Sequence, residues 1–335
     1  MSREVPTRPA RTVLPNTVEL SDTYDAERMR AELADFRARP GNAFSAASGR
    51  RVLPLRSIAG DPYRTDCGGP SVMGFQDTPW LAQLPYFREI LHGFPAPVRA
   101  ARLWAAGPGG KDVTLRAVKM GPPWGLCRVH LAVAGGPRAR VVFFGDVHHF
   151  PLGTLWFAAA WREYALVNQD RTELVHLIVD LSYTAELGAR FPEPLHQILT
   201  GSQTLRLRPV APLPVPESCC RTFQVPESFA NWERSGHLLL ADAHRTGSGA
   251  RPMFVPAEIG VREGMPVLSL AGRPYCALEH LGDGEFRLRG WSDERTLRVS
   301  RQPDAPVLLK LSDGGLTYQI ELPTGSASSG SAKND

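Results

Sequence analysis

The chain has 335 residues, of which 43% are apolar and 21% are charged, and these are the proportions of a globular protein with a sizeable core. Its 38 basic and 34 acidic side chains give a formal net charge of +4, and the basic residues are scattered. This pattern does not favour nucleic-acid binding. No apolar run approaches the roughly 20 residues of a membrane-spanning helix, and the polar segment 1–13 does not resemble a secretory signal.

The five cysteines are an odd number without CxxC spacing, which argues against a disulfide framework and against a zinc ribbon. A cytoplasmic protein, with no membrane partner, is therefore expected. The adjacent pair Cys219 and Cys220 is interpreted as incidental rather than as a redox or metal site.

Two helices are predicted near the start of the chain, after a flexible arm at residues 1–20. In the first, Ala26 to Phe36, the residues Met29, Leu33 and Phe36 recur at helical spacing. The second spans Trp80 to Leu91. Helices that precede a set of strands are expected to cover one outer face of the sheet.

From Val98 to Tyr183 the sequence consists of short β-type runs separated by Gly, Pro or polar clusters, a pattern typical of a barrel or sandwich. We assign residues 21–204 to this first domain. Residues 205–217 are a proline-rich linker, expected to be extended and stiff. Further alternating runs predict a small all-β domain at 218–323, and the low-complexity tail 324–335 is expected to be disordered.

Several local motifs between Pro54 and Leu187 follow one another in a definite order. They are Leu55-Arg56-Ser57 with Gly60-Asp61, Ala101-Arg102-Leu103 ahead of Pro108-Gly109, Arg128-Val129-His130, the spaced residues Trp156, Tyr164 and Asn168, and the run Val175 to Asp180. In order and spacing this segment resembles the aspartyl/asparaginyl/proline hydroxylases. The resemblance implies a mainly β fold, namely a double-stranded β-helix (cupin-like jelly roll) with flanking helices, joined here to the small C-terminal all-β domain.

The resemblance also implies a relationship to the dioxygenases that use Fe(II) and 2-oxoglutarate, but this sequence departs from their pattern at the key positions. Those enzymes hold iron with two histidines and one carboxylate. No histidine lies between His92 and His130, where the first ligand is expected. The second histidine falls on Tyr164, and the arginine that binds the cosubstrate falls on Leu174, which cannot offer a charged bidentate contact. The facial triad is thus degenerate, and no metal or cofactor is expected.

An active Fe(II)/2-oxoglutarate hydroxylase with substituted ligands is the alternative. Asp146, His148 and His149 have suitable ligand chemistry, and Asp112 lies where the first ligand is expected. The resemblance places Asp146 to His149 in a connection between strands, so a solvated turn is the favoured interpretation.

Strand alternation points Arg128 and His130 to one face, toward the barrel interior in the implied register. Together with Trp156 they are the predicted binding residues for a carboxylate-bearing small molecule. The alternative is structural: Arg128 forms a buried ion pair with Asp180 or Glu163, and His130 is a core histidine.

Tyr164 and His176 are the residues named for catalysis, available for proton transfer, although packing in the core is the favoured interpretation of both. We therefore expect a metal-independent enzyme or binder for a carboxylate-bearing metabolite, in a biosynthetic role. The sequence leaves open whether any reaction is catalysed. A third hypothesis is a non-catalytic scaffold that binds a protein partner through the C-terminal β domain, and a barrel filled by apolar side chains would favour it.

Overall fold

The structure is a computed structural model. It describes residues 14–41, 44, 51–109, 113–115, 117–193, 195–233, 239, 254–302, 304–313 and 315–323. Most of the predicted arm and the predicted tail 324–335 lie outside these residues. Over the described part the protein is mainly β, as the sequence predicts.

The N-terminal half contains eleven of the described strands and four described α-helices. In chain order they are β1 (Thr17–Thr23), α1 (Ala26–Ala38), β2 (Val52–Ile58), β3 (Phe75–Asp77), α2 (Pro85–His92), β4 (Val98–Ala106), β5 (Val113–Leu115), β6 (Leu126–Ala134), β7 (Ala139–Phe143), β8 (Asp146–His148), β9 (Thr154–Ala158), β10 (Tyr164–Asn168), β11 (Leu174–Ser182), α3 (Ala185–Gly188) and α4 (Leu195–Thr200).

These strands form two antiparallel sheets, with the orders β1-β9-β6-β11-β4-β2-β3 and β5-β10-β7-β8. From β4 to β11 the chain passes back and forth between the sheets. The central strands β4-β11-β6-β9 thereby share one hydrophobic cluster with the second sheet. This strand order is that of a double-stranded β-helix, or jelly roll. The predicted fold class is confirmed.

The central strands are buried on both faces, because the helices cover the side that faces away from the second sheet. Even-numbered residues of β6 and β11, such as Ala132 and Ile178, point into the jelly roll. Odd-numbered residues, such as Val129 and Leu177, pack in a second cluster with α1 and α2. Each strand therefore reads as a nearly continuous apolar run, in which the polar exceptions mark interior positions.

The first helix is confirmed, since α1 buries Met29, Leu33 and Phe36. The carboxylate of Asp25 caps it by accepting the N–H groups of the first turn at 2.9–3.0 Å. The second predicted helix is corrected: a short 3₁₀ turn, Leu81–Gln83, precedes α2, which begins at Pro85. Proline disfavours helical geometry at the residue before it, so the two pieces do not join.

The predicted boundary of the N-terminal arm at residue 20 is also corrected. Strand β1 begins at Thr17 and pairs with β9, starting at Thr17 opposite Ala158. The sequence gives little signal for this strand because it lies at an edge, where only Leu20 of its seven side chains is buried.

The C-terminal half forms one eight-stranded antiparallel sheet in chain order. Its strands are β12 (Arg221–Pro226), β13 (Phe254–Arg262), β14 (Met265–Leu270), β15 (Arg273–Gly282), β16 (Glu285–Leu288), β17 (Arg295–Arg298), β18 (Val307–Asp313) and β19 (Leu316–Leu322). The N–H of Gln224 donates to the carbonyl of Pro323 at 2.8 Å, which brings the first and last strands together. The sheet is a nearly closed up-and-down barrel.

The jelly roll and the barrel pack against each other. Their apolar residues belong to one hydrophobic cluster. Polar contacts cross the junction as well: a guanidinium N–H of Arg99 donates to the carbonyl of Gly290 at 2.6 Å, and Lys119 forms an ion pair with Glu294 at 2.5 Å. The two β units are therefore held together by buried contacts rather than by the linker alone.

Candidate functional site

The jelly-roll interior contains a buried cluster of two arginines around one carboxylate. Arg128 on β6 donates to Asp180 on β11 through two hydrogen bonds, Nε to Oδ1 at 2.6 Å and Nη2 to Oδ2 at 3.0 Å. Arg102 on β4 donates to the same Oδ2 at 3.0 Å. All three side chains are at most 5% exposed. The predicted carboxylate-binding arginine thus already holds a carboxylate of the chain itself, whereas the other proposed partner, Glu163, is exposed.

Electrostatics in this cluster favour the charged forms. Burial by itself raises the pKa of Asp180, but the charges and hydrogen bonds of Arg128 and Arg102 outweigh burial and lower this pKa to about 2. Burial opposes the charge of Arg128 too, and Asp180 more than compensates, so the pKa of Arg128 is raised. The ion pairs are therefore formed at neutral pH.

A second polar group lies beside the first and links the predicted residues His130, Tyr164 and His176. His130 Nε2 lies 2.7 Å from the Tyr164 hydroxyl, and the Nδ1 atoms of the two histidines are 3.3 Å apart. Because each neutral imidazole carries one N–H, both bonds are satisfied when all donors point the same way along the chain of three side chains.

The three side chains are neutral at pH 7. Burial, followed by the neighbouring His176, keeps the pKa of His130 well below its usual range, and burial lowers the pKa of His176 to about 4. Burial raises the pKa of Tyr164 despite the opposing effect of Arg128. A general acid or base works best with a pKa near the operating pH. The pKa values of these three groups are instead shifted away from neutral pH.

Aromatic rings fill the space around this chain of side chains. Phe143 stacks on Tyr164 with a centroid distance of 4.6 Å. Phe150 lies 4.5 Å from Trp156 and 5.8 Å from His176, nearly parallel to both. Trp156, the third predicted binding residue, and His176 thus stack on the same phenylalanine ring. The structure brings the predicted site residues into one interior, and it packs them there.

The described residues do not fit an iron site. Tyr164 is the first residue of β10 and Leu174 the first of β11, so neither strand begins with the residue that the resemblance leads one to expect. Both ring nitrogens of His130 are engaged, and Asp180 is held by two arginines. No group of three His, Cys, Asp or Glu side chains suited to a metal occurs within the described ranges.

The substitute ligands do not converge either. On β8, Asp146 accepts a hydrogen bond from Asn16 at 2.7 Å, and His148 Nδ1 lies 3.0 Å from the hydroxyl of Thr17. His149 Nδ1 lies 3.2 Å from the carbonyl of Ala139. The remaining candidate, Asp112, lies outside the described residues.

Sequence reasoning missed a second candidate site, a groove of about 1050 Å³ on the C-terminal barrel. The proline-rich linker forms one wall, and residues of β15 to β18 and their connections form the rest. Arg298, Arg301 and Asp283 lie on the barrel side of the groove. No sequence signal identifies the groove, because it arises only when the linker folds back on the barrel.

No helix in the described part of the chain has the length and apolar character needed to cross a membrane. Comparison of the sequence with known protein families finds no match, and comparison with curated proteins finds none either.

Comparison with solved structures finds oxygenases. A 2OG-Fe(II) oxygenase family oxidoreductase from Burkholderia pseudomallei is 13% identical, with 50% of this chain and 84% of that chain covered and a TM-score of 0.31. A Pseudomonas putida prolyl-4-hydroxylase is 14% identical, with 50% and 92% covered and a TM-score of 0.29. A viral collagen prolyl hydroxylase from Paramecium Bursaria Chlorella virus-1 is 7% identical, with 55% and 100% covered and a TM-score of 0.30. Likeness this low carries no argument about chemistry, and the fold assignment rests on the strand order.

Proposed function

We propose that this chain is a metal-independent binding protein built on a hydroxylase-like jelly roll, in which the positions of the iron and cosubstrate residues have become structural core. A relationship to the aspartyl/asparaginyl hydroxylase-like family, a cytoplasmic location and a biosynthetic role belong to the same proposal. The ligand class remains that expected from the sequence, a carboxylate-bearing small molecule.

The observation that carries the proposal is the closed hydrogen bonding of Arg128 and His130. Arg128 donates both arms of its fork to Asp180, and His130 bonds through both ring nitrogens. An incoming carboxylate would have to displace Asp180 in a region that is almost fully buried, and an unpaired buried charge would remain. Tyr164 and His176 act in this proposal as packing and hydrogen-bonding residues.

A second candidate keeps ligand binding inside the jelly roll. Arg102 and Arg128 carry two positive charges against the single charge of Asp180, and the Nε atom of Arg102 is buried without a hydrogen-bond partner. Opening of the jelly roll would present this N–H and the excess positive charge to a small carboxylate. Loss of Arg102 would then abolish binding.

The test is iron and cosubstrate binding by protein purified without oxygen. Metal content is measured directly, and Fe(II) and 2-oxoglutarate are titrated by calorimetry. We expect no stoichiometric iron and no saturable heat from 2-oxoglutarate. Stoichiometric binding of both would overturn the proposal in favour of a hydroxylase with substituted ligands.

The same titration with succinate separates the two candidates for carboxylate binding. Succinate binding that is lost in Arg102→Gln, and kept in the control Arg262→Gln at an exposed position, would favour a site in the jelly-roll interior. The folded state of each variant is checked by near-ultraviolet circular dichroism, because Arg102 also supports the buried ion pairs.

A further inference from the structure

The linker docks on the barrel as a fixed wall. The N–H of Ala211 donates to the carbonyl of His280 at 2.7 Å, and the ring Nδ1–H of His280 donates to the carbonyl of Pro212 at 2.8 Å. Before the prolines, Arg208 forms ion pairs with Glu285 at 2.7 Å and Asp293 at 2.6 Å. These anchors, together with the fixed φ of proline, give the groove a preformed shape.

The lining of the groove combines polar residues with apolar ones. Leu213 and Val215 contribute from the linker and Leu308 from the barrel, whereas Phe286 lies buried beneath the groove. Val215 is 57% exposed although it belongs to a proline-anchored wall. A cavity of about 1050 Å³ is at the upper end of the size range of small-molecule sites, which are mostly apolar with a few placed polar groups.

Two arginines line the groove without a counter-ion among the residues that the structure describes. The side chains of Arg298 and Arg301 are exposed and make no hydrogen bond or ion pair with any described residue. Arg208 of the linker and Arg287 of the barrel, by contrast, each bind two acidic side chains. Asp283 is the one acidic residue among the described residues that line the groove, so the arginines leave an excess positive charge there.

We propose that this groove is the ligand site and that it takes a small amphiphile with an oxyanion headgroup and an apolar body. The headgroup, a carboxylate or a phosphate monoester, contacts Arg298 and Arg301, whose planar guanidinium groups suit either anion. The apolar body lies against Leu213, Val215 and Leu308. This inference rests on the proposed function and gives it a place and a ligand class.

The experiment is calorimetric titration of the full chain with four eight-carbon probes at concentrations below micelle formation. Octanoate and octyl phosphate carry the two anionic headgroups, octanol carries none, and octyltrimethylammonium carries a positive charge. We expect saturable binding of one or both anions, with octanol weaker and the cation unbound. The stronger of the two anions identifies the headgroup.

The matched variants are Arg298→Gln with Arg301→Gln and, as control, Arg262→Gln on β13. The double variant should weaken anion binding at least about tenfold, because both charge-assisted contacts to the headgroup are lost. The control should bind like the unmodified chain. A Leu213→Gln variant tests the apolar wall and should weaken octanol and both anions together.

Three outcomes would overturn the inference: no saturable anion binding, equal binding of the cation, or unchanged anion binding in the double variant. Iron titration separates this failure from failure of the proposed function. If the chain binds neither iron nor the anionic probes, only the assignment of the groove as the ligand site is wrong. If the chain binds iron and 2-oxoglutarate stoichiometrically, the proposed function itself is wrong.

Discussion

The arginines of the jelly-roll interior and those of the barrel groove differ in burial and in pairing. In the interior, Arg102 and Arg128 are buried and share Asp180. In the groove, Arg298 and Arg301 are exposed and have no partner among the described residues. A buried charge must be neutralised by the fold itself, whereas an exposed cation is solvated and remains available to a ligand. Loss of a charge should therefore affect folding in the interior and binding in the groove.

Removal of the Asp180 charge should give the largest effect. Asp180→Asn leaves both Arg102 and Arg128 buried without a counter-ion, and we expect a loss of about 3–5 kcal/mol in the free energy of unfolding. Chemical denaturation measures it. The control, Asp304→Asn, changes an exposed carboxylate. Equal stability of Asp180→Asn and the unmodified chain would show that the interior charges are solvated. The contrast between the two regions would then be wrong.

The buried histidines should make stability fall in mild acid. Burial lowers the pKa of His176 from 6.5 to about 4, so the unfolded chain binds a proton first as the pH falls. Stability is then full above about pH 6.5 and is lost as the pH drops toward 4, by about 3 kcal/mol for this group alone. Asp180, with its pKa lowered to about 2, adds a further loss below pH 4.

Denaturation curves between pH 8 and 4 measure this loss. His176→Gln removes one titrating group while keeping polar atoms, so its stability should depend less on pH. A variant curve with the same slope as the unmodified chain would show that His176 is accessible to water in the folded state.

Loss of the Tyr164 hydroxyl should have an intermediate effect. Tyr164→Phe keeps the stack on Phe143 but leaves His130 Nε2 buried without its hydrogen bond. We expect a loss of about 1–3 kcal/mol. Unchanged stability of the variant would show that the hydrogen bond between Tyr164 and His130 does not stabilise the folded state.

The groove arginines should matter least to stability. Arg298→Gln changes an exposed side chain without a described partner, and we expect a change of at most about 0.5 kcal/mol. Unfolding measured beside Asp180→Asn sharpens the comparison between the two regions. A large loss would mean that Arg298 has a structural partner, and it would then be unsuitable as a ligand contact.

The sequence predicted the strand face on which Arg128 and His130 lie better than it predicted their hydrogen-bond partners. The spacing of Arg128 and His130 fixed a shared interior face, and the structure confirms it. Two partners for Arg128 remained open from the sequence, because Asp180 lies 52 residues away and Glu163 lies 35 residues away. Strand pairing brings Arg128 opposite Asp180, and that register depends on the whole sheet.

Local signals also predicted α1 and the strand-rich barrel correctly. They failed at β1, an edge strand with one buried side chain, and at the start of α2, where Pro85 interrupts the apolar pattern. In both places the pairing or packing of distant segments, rather than local periodicity, decided the boundary.

The sequence by itself determined the β-rich class, the order of the motifs and the absence of the expected residues at positions 164 and 174. These are properties of residue type and alternation, which depend only on neighbouring residues. Tertiary structure alone decided that Asp180 forms the ion pair with Arg128 and that phenylalanine rings fill the interior. It also decided that the linker forms a groove beside Arg298 and Arg301. Each of these depends on contacts between residues far apart in the chain, which chain-local patterns do not encode.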